Sequence, residues 1–435
     1  MAGGIQMQTM KAITTIALAL AAGSLLALAQ NNPPAATYQL GSDPKSASSD
    51  VPGQQYPKID SERHAEFRLR APNADRVQVD IGGHQYNMTK DDRGIWSVVT
   101  PPLVVGFHYY SFIVDGYSVA DPASESFFGV SKMMSGIEVP SPGEDFYDAK
   151  NVAHGEVREH WYYSQTNSAW RRCYVYTPPD YESNPTRRYP VVYLLHGAGE
   201  DERGWSTQGH VNFILDNLIA EGKSKPMIVV MENGGGSALF GPGFGRGRGP
   251  ATVMGGTNAT PRAGGTNQPG RGDFGRGLFR SGPAALFPDT LLHEVIPMID
   301  ATYRTIPDRE HRALAGLSMG GMETRMIGLA HLDAFANLGI FSGGSISTND
   351  ITDMAAFKQK IKLVFVSFGS VELDSRNRSG FGGRGPFGGD PRAATEGLQA
   401  AGINAHFYVS PGMAHEWQSW RRSFYQFAPL LFQNP

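Results

Sequence analysis

A serine flanked by glycines is the group in this chain best suited to chemistry. Ser318 sits in Gly316-Leu317-Ser318-Met319-Gly320-Gly321, with an apolar run, Arg312 to Ala315, leading in and a helix-like stretch, Gly321 to Leu332, leading out. On such a strand-to-helix turn the serine takes a strained backbone geometry. Side chains at the two flanking glycines would clash, so the arrangement presents the hydroxyl as a nucleophile. The helix N-terminus just beyond favours developing negative charge. A hydroxyl is a weak nucleophile and needs a base. His415, in Gly412-Met413-Ala414-His415-Glu416-Trp417, follows the strand-like run Ala405 to Val409 and precedes a terminal helix. Between the two, the loop Gly369-Ser370-Val371-Glu372-Leu373-Asp374 offers two carboxylates. Either could orient the imidazole and stabilise its charged form; Glu372 is preferred and Asp374 is the alternative. The order serine, acid, histidine is the one that accompanies a nucleophile elbow. The chemistry would be attack of Ser318 on a carbonyl carbon. The resulting oxyanion needs backbone N–H groups, one from Met319 and another from the loop His196-Gly197-Ala198-Gly199, at Gly197 or Ala198. His196 reads as structural to that loop.

These residues need a rigid frame, and the surrounding sequence has the grammar of one. Val191 to Leu195, Met227 to Met231 and Leu363 to Val366 are continuous apolar runs, as suits strands of a parallel sheet covered on both faces. An antiparallel opening, Val157 to Tyr163 and Arg171 to Thr177, precedes them, and helix-like stretches such as Asp289 to Tyr303 lie between them. The expected fold class is α/β: a doubly wound, mostly parallel sheet of the α/β-hydrolase kind over 156–435, with chemistry beyond the carboxyl ends of the strands. Gly/Arg-rich segments at 241–282 and 376–389 interrupt it and read as flexible insertions. Upstream, 62–140 consists of short alternating runs separated by turn signals, which predicts a small immunoglobulin-like β-sandwich, followed by a linker at 141–155.

The first 61 residues read differently. An apolar run from Ala12 to Leu28 ends in Ala27-Leu28-Ala29, the small-x-small pattern of a cleaved export signal over 1–29, which predicts a secreted or periplasmic protein. The polar, Pro- and Ser-rich stretch 30–61 reads as a disordered tether. A net charge of −3 over 435 residues excludes an overall electrostatic grip on nucleic acid or an anionic membrane, and stable membrane insertion is not expected. With a single cysteine, Cys173, no intrachain disulfide can form, so stability rests on the core, of which Cys173 in its alternating apolar run reads as a part.

Several of these segments together are similar to a known group. Leu194-Leu195-His196-Gly197-Ala198-Gly199, Gly204-Trp205, Lys225-Pro226-Met227, the Ser318 motif, and His415-Glu416-Trp417 with Trp420-Arg421 resemble the esterase-D-like esterases. The match is closest to the feruloyl and acetylxylan esterases of carbohydrate esterase family 1. It runs from about residue 155 to the C-terminus, outside the Gly/Arg-rich insertions. Phe67-Arg68-Leu69-Arg70-Ala71-Pro72-Asn73-Ala74 and Tyr110-Ser111-Phe112-Ile113-Val114-Asp115-Gly116 resemble family-48 carbohydrate-binding modules. The resemblance implies hydrolysis of an ester on a plant polysaccharide or oligosaccharide, without metal or cofactor, with Ser318 as nucleophile and His415 as base. Feruloyl ester on arabinoxylan comes first and acetyl ester on xylan second. The family's acid is usually an Asp three positions after a glycine, where this chain has Glu372. Trp205 is expected to contact substrate. A siderophore esterase of the enterochelin type, and a catalytically silent carbohydrate-binding protein, are the alternatives.

Overall fold

A computed structural model describes residues 38–235, 283–374 and 389–433. Contacts within the chain separate 1–39 from a unit spanning 40–435, and of the former only Tyr38 and Gln39 are described. The expected export signal and all or nearly all of both Gly/Arg-rich insertions lie outside the described residues.

The N-terminal part of the larger unit is a sandwich of two antiparallel sheets. One has the strand order Lys45–Ser46, Lys58–Ile59, Ala65–Arg70, Ile95–Val99, Thr89–Lys90. The other runs Ser126–Gly129, Lys132–Val139, Gly106–Val114, Val77–Ile81, His84–Asn87, with Tyr117–Val119 paired to Gly106–Val114. Alternation along the strands sends Phe67 from the first sheet and Val79, Tyr110, Phe112 and Ile137 from the second into one core. The rings of Phe67 and Tyr110 meet across the gap at 4.9 Å. The tether expected at 30–61 requires correction over its described part. Lys45–Ser46 and Lys58–Ile59 pair into the first sheet, and Ala47 and Ile59 are buried in the sandwich core. A low apolar content hid these strands, because two-residue strands carry too few side chains to show a period.

From Glu156 onward one eight-stranded sheet forms the frame. Its strands are β1 (Glu156–Ser164), β2 (Ala169–Thr177), β3 (Val191–Leu195), β4 (Ile228–Glu232), β5 (Arg312–Leu317), β6 (Asn337–Phe341), β7 (Leu363–Gly369) and β8 (Ala405–Ser410). Their spatial order is β1-β2-β4-β3-β5-β6-β7-β8, antiparallel at β1 and β2 and parallel from β4 to β8. Every residue of β3, β4, β5, β6 and β7 is buried, as a sheet covered on both faces demands. Two apolar cores lie on the two faces, one around Tyr193, Leu314 and Val366, the other around Val192, Trp205, Phe341 and Phe427. Cys173 is fully buried in β2, a core side chain as expected. Two elements depart from the sequence reading. Asn337–Phe341 was not anticipated as a strand, being five residues with a central glycine. The helix expected over 289–303 begins at Pro283 and passes through a π turn at Leu291–Val295. Pro297 has no N–H for the carbonyl four residues back, so the regular ladder cannot run through it.

Candidate active site

Ser318 occupies the turn between β5 and α1 (Met319–Ala330), with φ 52° and ψ −113°, a region that costs a non-glycine residue roughly 1–3 kcal/mol. The glycines around it are sterically required. A Cβ on Gly316 would lie 2.5 Å from backbone atoms of Gly320, and one on Gly320 would lie 2.6 Å from the His196 carbonyl oxygen. Gly321 and Gly343 stand equally close, 2.5 Å from a Cβ on Gly343 to the Gly321 Cα. These contacts press the start of α1 against the ends of β3 and β6 and fix where the hydroxyl points.

The three expected catalytic groups meet there. The Ser318 Oγ lies 2.9 Å from Nε2 of His415, and Nδ1 of His415 lies 3.2 Å from Oε2 of Glu372. With Nδ1–H donating to the carboxylate, Nε2 is left as the acceptor for the serine proton. Glu372 is itself held: its Oε1 accepts from the Gly369 N–H at 3.0 Å and from the Ser342 hydroxyl at 2.9 Å. Trp420 Nε1 donates in turn to Ser342 Oγ at 3.1 Å, and the Trp420 ring meets the His415 ring edge-on at 5.1 Å. Glu372 and Ser318 are nearly closed to solvent, while His415 remains more than a quarter exposed. The imidazole is therefore the most solvent-open member of the set. Asp374, the alternative acid, closes the short helical turn Ser370–Leu373 two residues on. Neither Ser342 nor Trp420 was singled out as functional. Ser342 lies just past the unanticipated strand β6, and its φ of 50° brings its hydroxyl onto Glu372.

Opposite the serine, His196 to Glu200 form the second wall. Glu200 N–H donates to the Gly197 carbonyl at 3.2 Å, closing a turn whose third residue, Gly199, has φ 79°. A Cβ on Gly197 would stand 3.3 Å from the Ser318 Cβ and 2.6 Å from Leu317 Cδ1, so only glycine lets this main chain approach the nucleophile. Among the described residues no backbone carbonyl takes the N–H of Gly197 or Ala198. Met319, as the first residue of α1, has no partner for its N–H inside the helix. These are the donors an oxyanion needs. His196 is buried, its Nδ1 donates to the Gly197 carbonyl at 2.7 Å, and burial lowers its pKa, so it braces the turn as a neutral ring.

The sequence is matched by a family model described as "Putative esterase" over residues 164–245 and 281–368. The matched segments hold Ser318 and the glycine turn at 197–199. A curated relative, an endo-1,4-beta-xylanase/feruloyl esterase of Xylanibacter ruminicola, is 36% identical over 390 residues, covering 88% of this chain and 46% of that protein. An endo-1,4-beta-xylanase Y of Acetivibrio thermocellus is 24% identical over 353 residues, 74% of this chain and 27% of that protein. The chain thus spans less than half the length of these relatives. Among solved structures, the enterobactin esterase of Shigella flexneri aligns over 85% of this chain and 93% of its own, with TM-score 0.55 and 17% identity, a likeness of fold.

Within the matched region one expected site residue is misplaced. Trp205 does not face substrate: it is 1% exposed, donates from Nε1 to the Leu195 carbonyl at 2.9 Å, and packs its ring against Phe341 and Trp417. A tryptophan beside a glycine-rich loop reads alike in sequence whether it supports the loop from beneath or lines it. Only the direction of the Cα–Cβ bond separates the two.

Proposed function

We propose that this chain is a serine carboxylic-ester hydrolase that releases ferulate from plant cell-wall arabinoxylan. The observation that carries the reading is the continuous set Ser318, His415 and Glu372 facing a glycine turn whose Gly197 and Ala198 N–H groups meet no backbone carbonyl among the described residues. Ser318 Oγ attacks the ester carbonyl carbon as His415 Nε2 takes its proton. The negative oxygen is received by the N–H groups of Met319 and the Gly197–Ala198 turn. The C–O bond to the sugar breaks, and the alcohol leaves with the proton from His415. Water, deprotonated by the same nitrogen, then attacks the acyl-enzyme and frees the acid and Ser318. The feruloyl choice rests on the Xylanibacter ruminicola relative, whose name includes that activity. Export through a leader at 1–29 is part of the same reading and is tested by N-terminal sequencing of the secreted protein.

The decisive measurement is ferulate release from methyl ferulate and from feruloylated arabinoxylan fragments, beside Ser318→Ala. Release from both is expected, falling by about 10⁴-fold or more in the variant. Cleavage of acetylated xylan alone would move the acyl group to acetate, and preference for a cyclic catecholate triester would move the substrate to a siderophore. A folded protein silent on all three would overturn ester hydrolysis in favour of glycan binding.

A further inference from the structure

The sandwich is joined to the esterase domain at the loops that carry the chemistry. Tyr109, on the strand Gly106–Val114, donates its hydroxyl proton to Glu200 Oε2 at 2.7 Å. The Tyr109 hydroxyl oxygen in turn accepts from Gln208 Nε2 at 2.6 Å and from Trp417 Nε1 at 3.3 Å. Glu200 closes the oxyanion turn, and Trp417 is two residues beyond His415. One hydroxyl from the sandwich therefore ties together the two loops between which an ester must sit, and its hydrogen-bonding capacity is fully used. A second contact reaches the same turn. At the tip of the hairpin formed by Ser126–Gly129 and Lys132–Val139, the Ser131 N–H donates to the Gly199 carbonyl at 2.8 Å.

Two features mark this junction as built for the purpose. Gly129 clears the space for the tyrosine, since a Cβ there would lie 2.2 Å from Tyr109 Cζ. The hairpin tip is strained: Val130 and Ser131 have φ 53° and 61°, where a β-branched residue is rarely found. Strain of this kind persists only where the surroundings enforce it, and here it presents the Ser131 N–H to the turn. Further down, Arg421, fully buried on α2 (Trp417–Phe427), pairs through both terminal nitrogens with Glu138 of the sandwich at 2.7 and 2.9 Å. The two domains thus meet through a desolvated, directional set of bonds and have little freedom to slide.

We propose that the sandwich is a working part of the catalytic centre, with Tyr109 as a positioning residue that holds the oxyanion turn at a fixed distance from the His415 loop. The inference rests on Ser318 acting as an acyl-accepting nucleophile, and it concerns the acylation step whatever the natural ester. A module that only gripped polysaccharide would change turnover of the polymer; this arrangement changes turnover of a small soluble ester as well.

The test compares wild type with Tyr109→Phe in the full chain. It reads kcat and KM on methyl ferulate and the rate at which a fluorophosphonate labels Ser318. Expected are a roughly tenfold fall in kcat, KM within about twofold, and a matching fall in labelling rate, with an unchanged near-UV circular dichroism spectrum. A labelling rate and kcat equal to wild type would overturn the proposal, as would a change in KM alone. Should Tyr109→Phe fail to fold, Glu200→Leu removes the bond from the other side and is held to the same outcomes. If the wild type cleaves no ester yet is labelled at Ser318, the substrate reading fails while the labelling rates still decide this one.

Discussion

The nucleophile elbow and the oxyanion turn stand within a few ångströms of each other and are held in place by different means. Around Ser318 the constraints come mainly from main chain close by in the sheet: Gly316 against Gly320, Gly320 against the end of β3, Gly321 against Gly343. The turn Gly197–Glu200 has one internal hydrogen bond and the His196 ring on its Gly197 carbonyl, and it is anchored further by Tyr109 and Ser131, contributed from the sandwich. The acid loop resembles the turn in this respect, since Glu372 is held by Ser342 and, through it, by Trp420. One part of the site is therefore made by backbone sterics and the other parts by distant side chains. The first kind fails by misfolding when perturbed; the second is expected to fail by losing rate while the fold survives.

The largest expected effect on that contrast comes from the acid. Glu372→Gln keeps the shape but removes the charge that fixes the His415 tautomer and stabilises its protonated form, and kcat should fall by about 10³–10⁴-fold with the thermal midpoint little changed. A fall of less than tenfold would mean another carboxylate takes the role, and Asp374 would be the first to substitute. Gly320→Ala attacks the steric side. Its Cβ would fall 2.6 Å from the His196 oxygen and 2.7 Å from Leu195 Cβ, so a loss of about 1–3 kcal/mol is expected, read as a lower midpoint in urea. Wild-type stability together with reduced kcat would place the elbow in the same class as the turn.

The remaining effect belongs to the turn and depends on pH. Burial pushes the Glu200 carboxyl up to about 8, and the nearby Asp201 adds to the rise against the Tyr109 and Trp417 hydrogen bonds. In the unfolded chain this group ionises near 4.5, so its contribution to stability is full below that pH and is lost as pH rises towards 8. Glu200→Gln stays neutral throughout. Relative to wild type it should gain stability between pH 5 and 8, by a few kcal/mol at most, on the order of what a shift of this size allows. A gap between the two proteins that stays constant with pH would show that Glu200 ionises normally in the folded state.

Much of the frame was legible before the structure. Val191–Leu195 is a strand over the expected residues, and β7 and β8 begin at the expected Leu363 and Ala405, because continuous apolar runs bounded by polar residues have few other solutions in a chain of this size. Ser318 and His415 were legible from their neighbours and their order, and the acid as far as the pair Glu372 and Asp374. The two-residue strands at 45–46 and 58–59 and the π turn were not, since they depend on pairing and on a proline's missing donor more than on any period.

What the sequence by itself determined is the local part of this protein: which serine sits on the strand-to-helix turn, which glycines must flank it, and which strands lead to the loops. Those follow from sterics and apolar patterning within a few residues. Tertiary structure alone decided which of two carboxylates meets His415, that Trp205 supports the site from below, and that Tyr109 reaches the oxyanion turn across 91 positions of sequence. Such contacts depend on the direction and reach of side chains from separate elements, and no spacing along a single chain encodes them.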